Sequence, residues 1–224
     1  MVVISCQILR DMFARLLPSD VVSAVEYMDY GLHRSPALLT EAMQEAIDRV
    51  EEASLVVLGF GLCGNGLSGL RAGPHTLLAP RAHDCIALLL GSRQAYANQC
   101  DETPGTYYLS KGWLEAATHP LQEYERYKQK YGEEQAMWLM DEMYQHYERL
   151  VLVGHTSRDL EESRSEAQNV ARFLERWDVR YEELLGSDEY VRRLVEVALD
   201  LSQADGDFVV VPPGGVIRAE QFME

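Results

Sequence analysis

The sequence predicts an α/β fold, with a largely parallel, Rossmann-like sheet, helices on both faces and a long helical insertion around residues 120–149. Two observations lead to this prediction. Short apolar runs of strand length alternate along the chain with segments whose apolar residues recur at helical spacing. Several of these runs end at glycine, cysteine or histidine instead of a tight hairpin turn, which favours crossover connections between parallel strands.

Four short apolar runs in the first hundred residues have the length and composition of buried strands. They are residues 2–5, 21–27, 55–58 and 76–79. One predicted helix closes at Pro18, and a second begins with Ser35 as its N-cap and Pro36 at its first helical position. Residues 86–90 are apolar on every side, which predicts a deeply buried helix.

The second half of the chain continues the alternation. Residues 101–113 contain a Pro-Gly turn and are expected to form an ordered loop, with a short strand as the alternative. Residues 120–150 are expected to be helical with a break at Gly132. The remaining predicted strands are residues 150–154, 179–184 and 208–211, and the remaining predicted helices are residues 158–177 and 188–202.

The length of 224 residues suits one α/β domain over residues 1–224. An arrangement in two halves is the alternative, with residues 1–115 and 150–224 joined by helices over 120–149. The hydrophobic fraction of 47% is enough for a substantial core in either case.

The net charge of −16 argues against two classes of partner. Nucleic acids and anionic membrane surfaces both attract proteins through Lys and Arg, and this chain would be repelled by them. No segment approaches the ~20 apolar residues of a membrane helix. The N-terminal segment MVVISCQILRDMF lacks the features of a signal peptide, so we expect a cytoplasmic protein whose four cysteines are reduced.

Cysteine and histidine residues follow the predicted strands more often than chance would place them there. They are Cys6, His33, Cys63, His83, Cys85 and His155. Thiolate and imidazole are the ligands that zinc, iron and iron–sulfur centres use. The sequence therefore predicts a metal site made by Cys6, Cys63, His83 and Cys85, with zinc as the first choice and iron or an iron–sulfur cluster as alternatives.

Two other interpretations of these cysteines stay open. Free cysteine is among the most buried residue types, so Cys6 and Cys85 equally suit positions in the core. A third interpretation makes one thiolate a nucleophile, with His83 or Arg81 lowering its pKa.

The glycine-rich segment GFGLCGNGLSG follows the third predicted strand. It contains G-x-G-x-x-G, but more glycines follow where the helix of a dinucleotide site should begin. The better prediction is a nest of backbone N–H groups that approaches an anion or cofactor. The candidate cofactor-binding residues are Gly61, Gly64, Asn65, Gly66, Arg81 and Asp84.

Residues 124–147 are unusually rich in Tyr, Trp and Met. Such a stripe is more often core or a helix–helix contact than a cofactor site. It also provides a surface through which the chain could form a homodimer.

Five segments resemble the uncharacterised domain-of-unknown-function family 1638. They are SCQILRDMF, YGLHRSPALL, GFGLCGNGLSGL, PRAHDCIALLLGS and GTYYLSKGW, and the resemblance spans roughly residues 1–215. Phe60 stands where the family pattern has Tyr. The resemblance implies a cytosolic protein of methanogens or anaerobic bacteria, connected to corrinoid-dependent, methylamine-type one-carbon metabolism, and implies no catalytic residues.

The predicted function is therefore that of a metal- or cofactor-binding cytosolic protein linked to corrinoid and one-carbon metabolism. The chain lacks a corrinoid-binding D-x-H-x-x-G motif, so a corrinoid would come on a partner protein, with a small molecule as the other expected ligand. One alternative is a zinc-dependent methyltransferase that acts with such a partner. Another is a non-catalytic, oligomerising interaction module.

Overall fold

The computed structural model describes residues 1–223, apart from the side chain of Arg34. The chain forms two compact units: Met1–Gln94 together with Ser187–Glu224, and Ala95–Gly186. Each unit contains its own sheet. The boundaries between the units fall near residues 94 and 186. The alternative predicted from the sequence had halves over residues 1–115 and 150–224.

Eight strands and nine helices form the regular structure of the described residues. The strands are β1 (Val2–Cys6), β2 (Ala24–Met28), β3 (Leu55–Gly59), β4 (Thr76–Pro80), β5 (Thr106–Ser110), β6 (Arg149–Gly154), β7 (Arg180–Leu185) and β8 (Phe208–Val211). The helices are α1 (Arg10–Leu16), α2 (Pro36–Asp48), α3 (Ile86–Leu90), α4 (Arg93–Glu102), α5 (Lys111–Glu115), α6 (Pro120–Tyr131), α7 (Glu133–Tyr144), α8 (Ser157–Leu174) and α9 (Glu189–Leu199).

The sheet of the first unit has the strand order β2-β1-β3-β4-β8. Strands β1 to β4 are parallel, and β8 pairs antiparallel with β4 at the edge. From β1 the chain crosses to β2 on one side of β1, and from β2 it crosses back over β1 to β3 on the other side. Right-handed crossovers then place α1 and α2 on opposite faces of the sheet, so the strand order reverses between β1 and β3.

The sheet of the second unit has the order β5-β6-β7, with all strands parallel. Strand β6 is buried along its whole length and α8 packs against it. The guanidinium of Arg149 is buried in this unit and donates hydrogen bonds to Thr106, Glu182 and Gln99, each at 3.1 Å. Those acceptors satisfy a charge that would otherwise be costly to bury.

The fold class expected from the sequence is confirmed: both sheets are mostly parallel and flanked by helices, as in Rossmann-like folds. Helix α3 is buried throughout, as its composition predicted, and the helical stretch breaks at Gly132, where φ is +85°. Among the described residues, no helix combines the length and apolar character needed to cross a membrane.

Candidate functional site

The candidate site lies at the carboxyl ends of β1 to β4, where the chain leaves the sheet of the first unit. Cys6 ends β1, His33 lies in a short 3-10 helix just after β2, Cys63 follows β3, and Cys85 follows β4. The point where strand order reverses is where open α/β sheets bind ligands. We call the four side chains of Cys6, His33, Cys63 and Cys85 the thiol centre.

The loops after β3 and β4 run side by side, which brings Cys63 towards Cys85. The amide of Leu62 donates to the carbonyl of Ala82, and the amide of Cys63 donates to the carbonyl of His83, each at 2.8 Å. A Cβ atom on Gly61 would lie 2.6–2.7 Å from the backbone of Asp84. Only glycine allows this approach, so the residue is explained by packing between the loops.

The three thiols of the centre differ in exposure and in acidity. Cys6 and Cys85 are buried, whereas Cys63 is partly exposed. A hydrogen bond with the Cys85 thiol is the main cause that lowers the pKa of Cys63 to about 6, and the nearby His33 lowers it further. The same hydrogen bond and burial raise the pKa of Cys85, while burial raises the pKa of Cys6 to about 12. Cys63 is therefore the most acidic thiol of the centre.

His33 is held in a fixed orientation next to Cys63. Its ring stacks on Tyr30, with ring centroids 4.9 Å apart, and on Phe60, with centroids 6.0 Å apart. Its Nδ1 atom lies 3.1 Å from the carbonyl oxygen of Tyr30, which can only accept, so Nδ1 carries a hydrogen and Nε2 is the ring nitrogen left for another partner. Nε2 is buried and has no well-formed hydrogen bond to any described residue, although the ring is close enough to Cys63 to affect its pKa.

His83 occupies a different position from the one that a metal ligand beside the thiols requires. Its side chain is exposed, and its contribution to the site is the backbone carbonyl that accepts from Cys63. Ala82 and Cys85 are buried on either side of it, so the chain turns the imidazole outwards. The structure pairs Cys63 with Cys85, leaves Cys6 as their electrostatic neighbour, and places His33 near Cys63 instead of His83.

The described residues contain no group of three or more His, Cys, Asp or Glu side chains already arranged to hold a metal ion. Within the thiol centre, Cys63 therefore interacts with Cys85 and with His33, and Cys6 is an electrostatic neighbour of both thiols.

The predicted nest of amides uses most of its N–H groups within the protein. Cys63, Gly64 and Asn65 all have positive φ, at +49°, +64° and +74°, and form a left-handed turn. The amides of Gly66, Leu67 and Ser68 all donate to carbonyls of the same loop. A Cβ on Gly66 would lie 2.5 Å from Leu39 of α2, so this glycine too is explained by packing.

The two charged residues predicted to bind a cofactor have structural contacts. Asp84 Oδ1 accepts from the amide of Ile86 at 2.9 Å, at the start of α3. The backbone of Arg81 is held by Tyr190 and Asp207, and its side chain lines a cavity of about 610 Å³ together with Phe208 and Arg218. That cavity opens beside β8.

His155 and Cys100 belong to the second unit, whereas the thiol centre is built from the first. The residue that the sequence-based site omitted is His33, whose role was left open. The signal that would have identified it is the strand order, because β2 lies directly beside β1 and its carboxyl end therefore lies beside Cys6.

Comparison with known proteins gives one match. The family described as protein of unknown function DUF1638 matches residues 27–195, which is most of the chain. The chain belongs to this family. The matched residues of this DUF1638 member include His33, Cys63 and Cys85, and Cys6 precedes them. No curated protein and no solved structure matched the chain.

Proposed function

We propose that this protein binds a thiophilic metal ion, zinc in the first instance, through Cys63, Cys85 and His33 with Cys6 as the fourth ligand. The observation that carries the proposal is the buried Nε2 atom of His33, which has no hydrogen-bond partner among the described residues and belongs to a ring close enough to Cys63 to affect its pKa. A zinc-binding histidine typically donates its other ring nitrogen to a carbonyl, as Nδ1 does here to Tyr30.

The composition of the thiol centre suits zinc. Three sulfur atoms and one imidazole match a tetrahedral Cys3His site, and Zn²⁺ has little preference beyond four such ligands. The chain supplies them from four neighbouring strand ends in one unit, and zinc binding would require their side chains to rotate towards one another. Zinc in such a site stabilises thiolates, and it would polarise a small ligand where that ligand takes the place of one of the four.

Partial exposure of Cys63 gives the site a side that faces solvent, whereas Cys6 and Cys85 are buried. An accessible metal is typical of a site that meets a small molecule or a partner protein, and a fully closed site is typical of a structural ion. The link to corrinoid-dependent methyl transfer, either as an accessory protein or as a zinc-dependent methyltransferase, follows from the family resemblance and is part of this proposal.

The test is a zinc titration of the full-length protein after reduction and chelation, without oxygen. We expect one zinc ion per chain, with release of protons from the thiols. His33→Ala should weaken zinc binding at least about 10-fold, because it removes one ligand. His83→Ala is the matched control, since that imidazole is exposed, and should bind zinc like the unchanged protein. Equal loss in both variants, or no zinc uptake by folded protein, would refute the proposal.

A second candidate function is supported by a separate observation. The thiol of Cys63 is partly exposed and has a pKa lowered to about 6 by Cys85 and His33, which is typical of a nucleophilic cysteine. His33 is in turn oriented by Tyr30, as the base of a Cys–His pair must be. A protein that takes up no zinc but loses all reactivity towards a soft electrophile on Cys63→Ser would favour this candidate.

A further inference from the structure

Cys63 and Cys85 are placed as a pair that can form a disulfide bond. Their loops are fixed to each other by the two 2.8 Å backbone hydrogen bonds at Leu62 and Cys63, and no side chain separates the loops at Gly61. Both cysteines are free, and the backbone amide of Cys63 is hydrogen-bonded to the residue two positions before Cys85. A disulfide requires a close approach of two cysteine side chains, with Cα atoms about 4.4–6.8 Å apart.

The surroundings assign a different role to each thiol. Cys63 is partly exposed on a loop, so a small oxidant reaches it first. Cys85 is buried behind it at the start of α3 and is positioned to react second. Cys6 is also buried, at the end of β1, and belongs to neither of the two paired loops.

We propose that Cys63 and Cys85 form a reversible redox pair, and that their disulfide closes the thiol centre to metal. The oxidant is a hydroperoxide. The Cys63 thiolate attacks its O–O bond, gaining one oxygen as a sulfenic acid while the other oxygen leaves as hydroxide or alkoxide. The Cys85 thiol then attacks the Cys63 sulfur, the S–S bond forms, and the sulfenic oxygen leaves as water. A dithiol reductant reverses the reaction.

Only the second part of this inference rests on the proposed zinc site. The disulfide itself requires no metal, and its formation is measured on chelated protein. Its consequence for the site follows from valence, because a sulfur atom in a disulfide has no thiolate to give to zinc. Oxidation would thus remove two of the four ligands in a single step.

The test uses reduced, chelated full-length protein and a small excess of hydrogen peroxide. We expect the mass to fall by about 2 Da, the titratable thiols to fall from four to two, and digestion to yield one linked peptide containing Cys63 and Cys85. Cys85→Ser should instead stop at a sulfenic acid on Cys63, trapped by dimedone. Cys100→Ser is the matched control, because that cysteine lies in the other unit, and should give the same linked peptide.

Zinc uptake before and after oxidation separates this inference from the proposed function. We expect affinity for zinc to fall at least about 100-fold after oxidation and to return with dithiothreitol. Reduced protein that binds zinc but yields no Cys63–Cys85 peptide, or links Cys63 to Cys6, overturns the redox pair alone. Protein that forms the linked peptide but never binds zinc overturns the zinc site alone. If Cys85→Ser fails to fold by circular dichroism, Cys85→Ala replaces it.

Discussion

Replacing Gly61 with alanine tests whether close packing between two loops builds the thiol centre. The new Cβ would lie 2.6 Å from the Cα and carbonyl carbon of Asp84, which is closer than carbon atoms approach without repulsion. The neighbouring atoms are backbone, so they cannot move aside as a flexible side chain would. The φ of Gly61 is not positive, so alanine would not strain the backbone there. Any loss of stability would therefore come from the contact of the new Cβ with Asp84.

The size of the effect follows from two contributions. Insertion of a methyl group into a filled space typically costs about 1–3 kcal/mol. Separation of the loops also breaks the hydrogen bonds of Leu62 to Ala82 and of Cys63 to His83, at about 1 kcal/mol each. We therefore expect Gly61→Ala to lower the free energy of unfolding by about 3–5 kcal/mol.

The assay is urea denaturation followed by circular dichroism. Gly206→Ala is the matched control, because a Cβ there meets no atom within 4 Å and φ is again not positive. We expect the control to change stability by less than about 1 kcal/mol. If the two variants unfold within about 0.5 kcal/mol of each other, the loops are not packed as the structure shows, and the placement of Cys63 beside Cys85 loses its basis.

Two further predictions concern Cys63 and the aromatic helices. In chelated protein, the rate at which iodoacetamide alkylates Cys63 should rise as pH rises through about 6 and level off above it, since the lowered pKa populates the thiolate there. Cys85→Ala should move the midpoint of this pH profile upward. An unchanged midpoint would contradict a role of Cys85 in lowering the pKa of Cys63. Tyr144→Ala should lower the free energy of unfolding by about 3–5 kcal/mol in urea denaturation, because Tyr144 is buried and its hydroxyl donates to Glu123 at 2.5 Å. Trp138→Ala should lower it by less than about 1 kcal/mol, because Trp138 is 61% exposed. Similar losses in both variants would contradict the buried position of Tyr144 and the exposed position of Trp138.

The aromatic stretch over residues 124–147 divides into core and surface in a way that composition did not reveal. Tyr144 packs against Tyr107 and Trp177, with centroids 5.8 Å and 5.9 Å apart, so it belongs to the interior of the second unit. Trp138 lies on the exposed face of α7. A test of dimerisation through this stretch should therefore change Trp138 alone, because a Tyr144 variant would report on folding.

Elements with a strong apolar pattern were predictable from the sequence. Strands β3 and β4 and helix α3 lie within a residue of their predicted bounds, because each is a continuous apolar run that is buried. Helix α4 was missed because none of its residues is buried, so it has no apolar periodicity to detect. Residues 101–113 were expected to be an ordered loop, with a short strand as the alternative; the strand is present as β5, and the start of α5 follows it.

The candidate site was predictable as a place, and only in part as a set of residues. Cysteines after successive parallel strands must meet at one edge of the sheet, which local sequence is enough to show. Which histidine lies near the thiols, His33 or His83, depends on two features of the fold that residue spacing does not reveal. One is the outward direction of residue 83 in a segment whose flanking residues are buried, and the other is the pairing of β2 with β1.

The thiol centre has properties that packing in the core does not explain. Burial of Cys6 and Cys85 is what small core residues would show. Cys63 differs, because it is partly exposed and holds a positive φ that non-glycine residues seldom adopt. His33 beside it keeps a buried ring nitrogen without a well-formed hydrogen bond, an arrangement that costs free energy in a folded protein. A ligand that binds both groups would offset that cost, so variants of Cys63 and His33 distinguish a working site from a packed core more sharply than variants of Cys6 or Cys85.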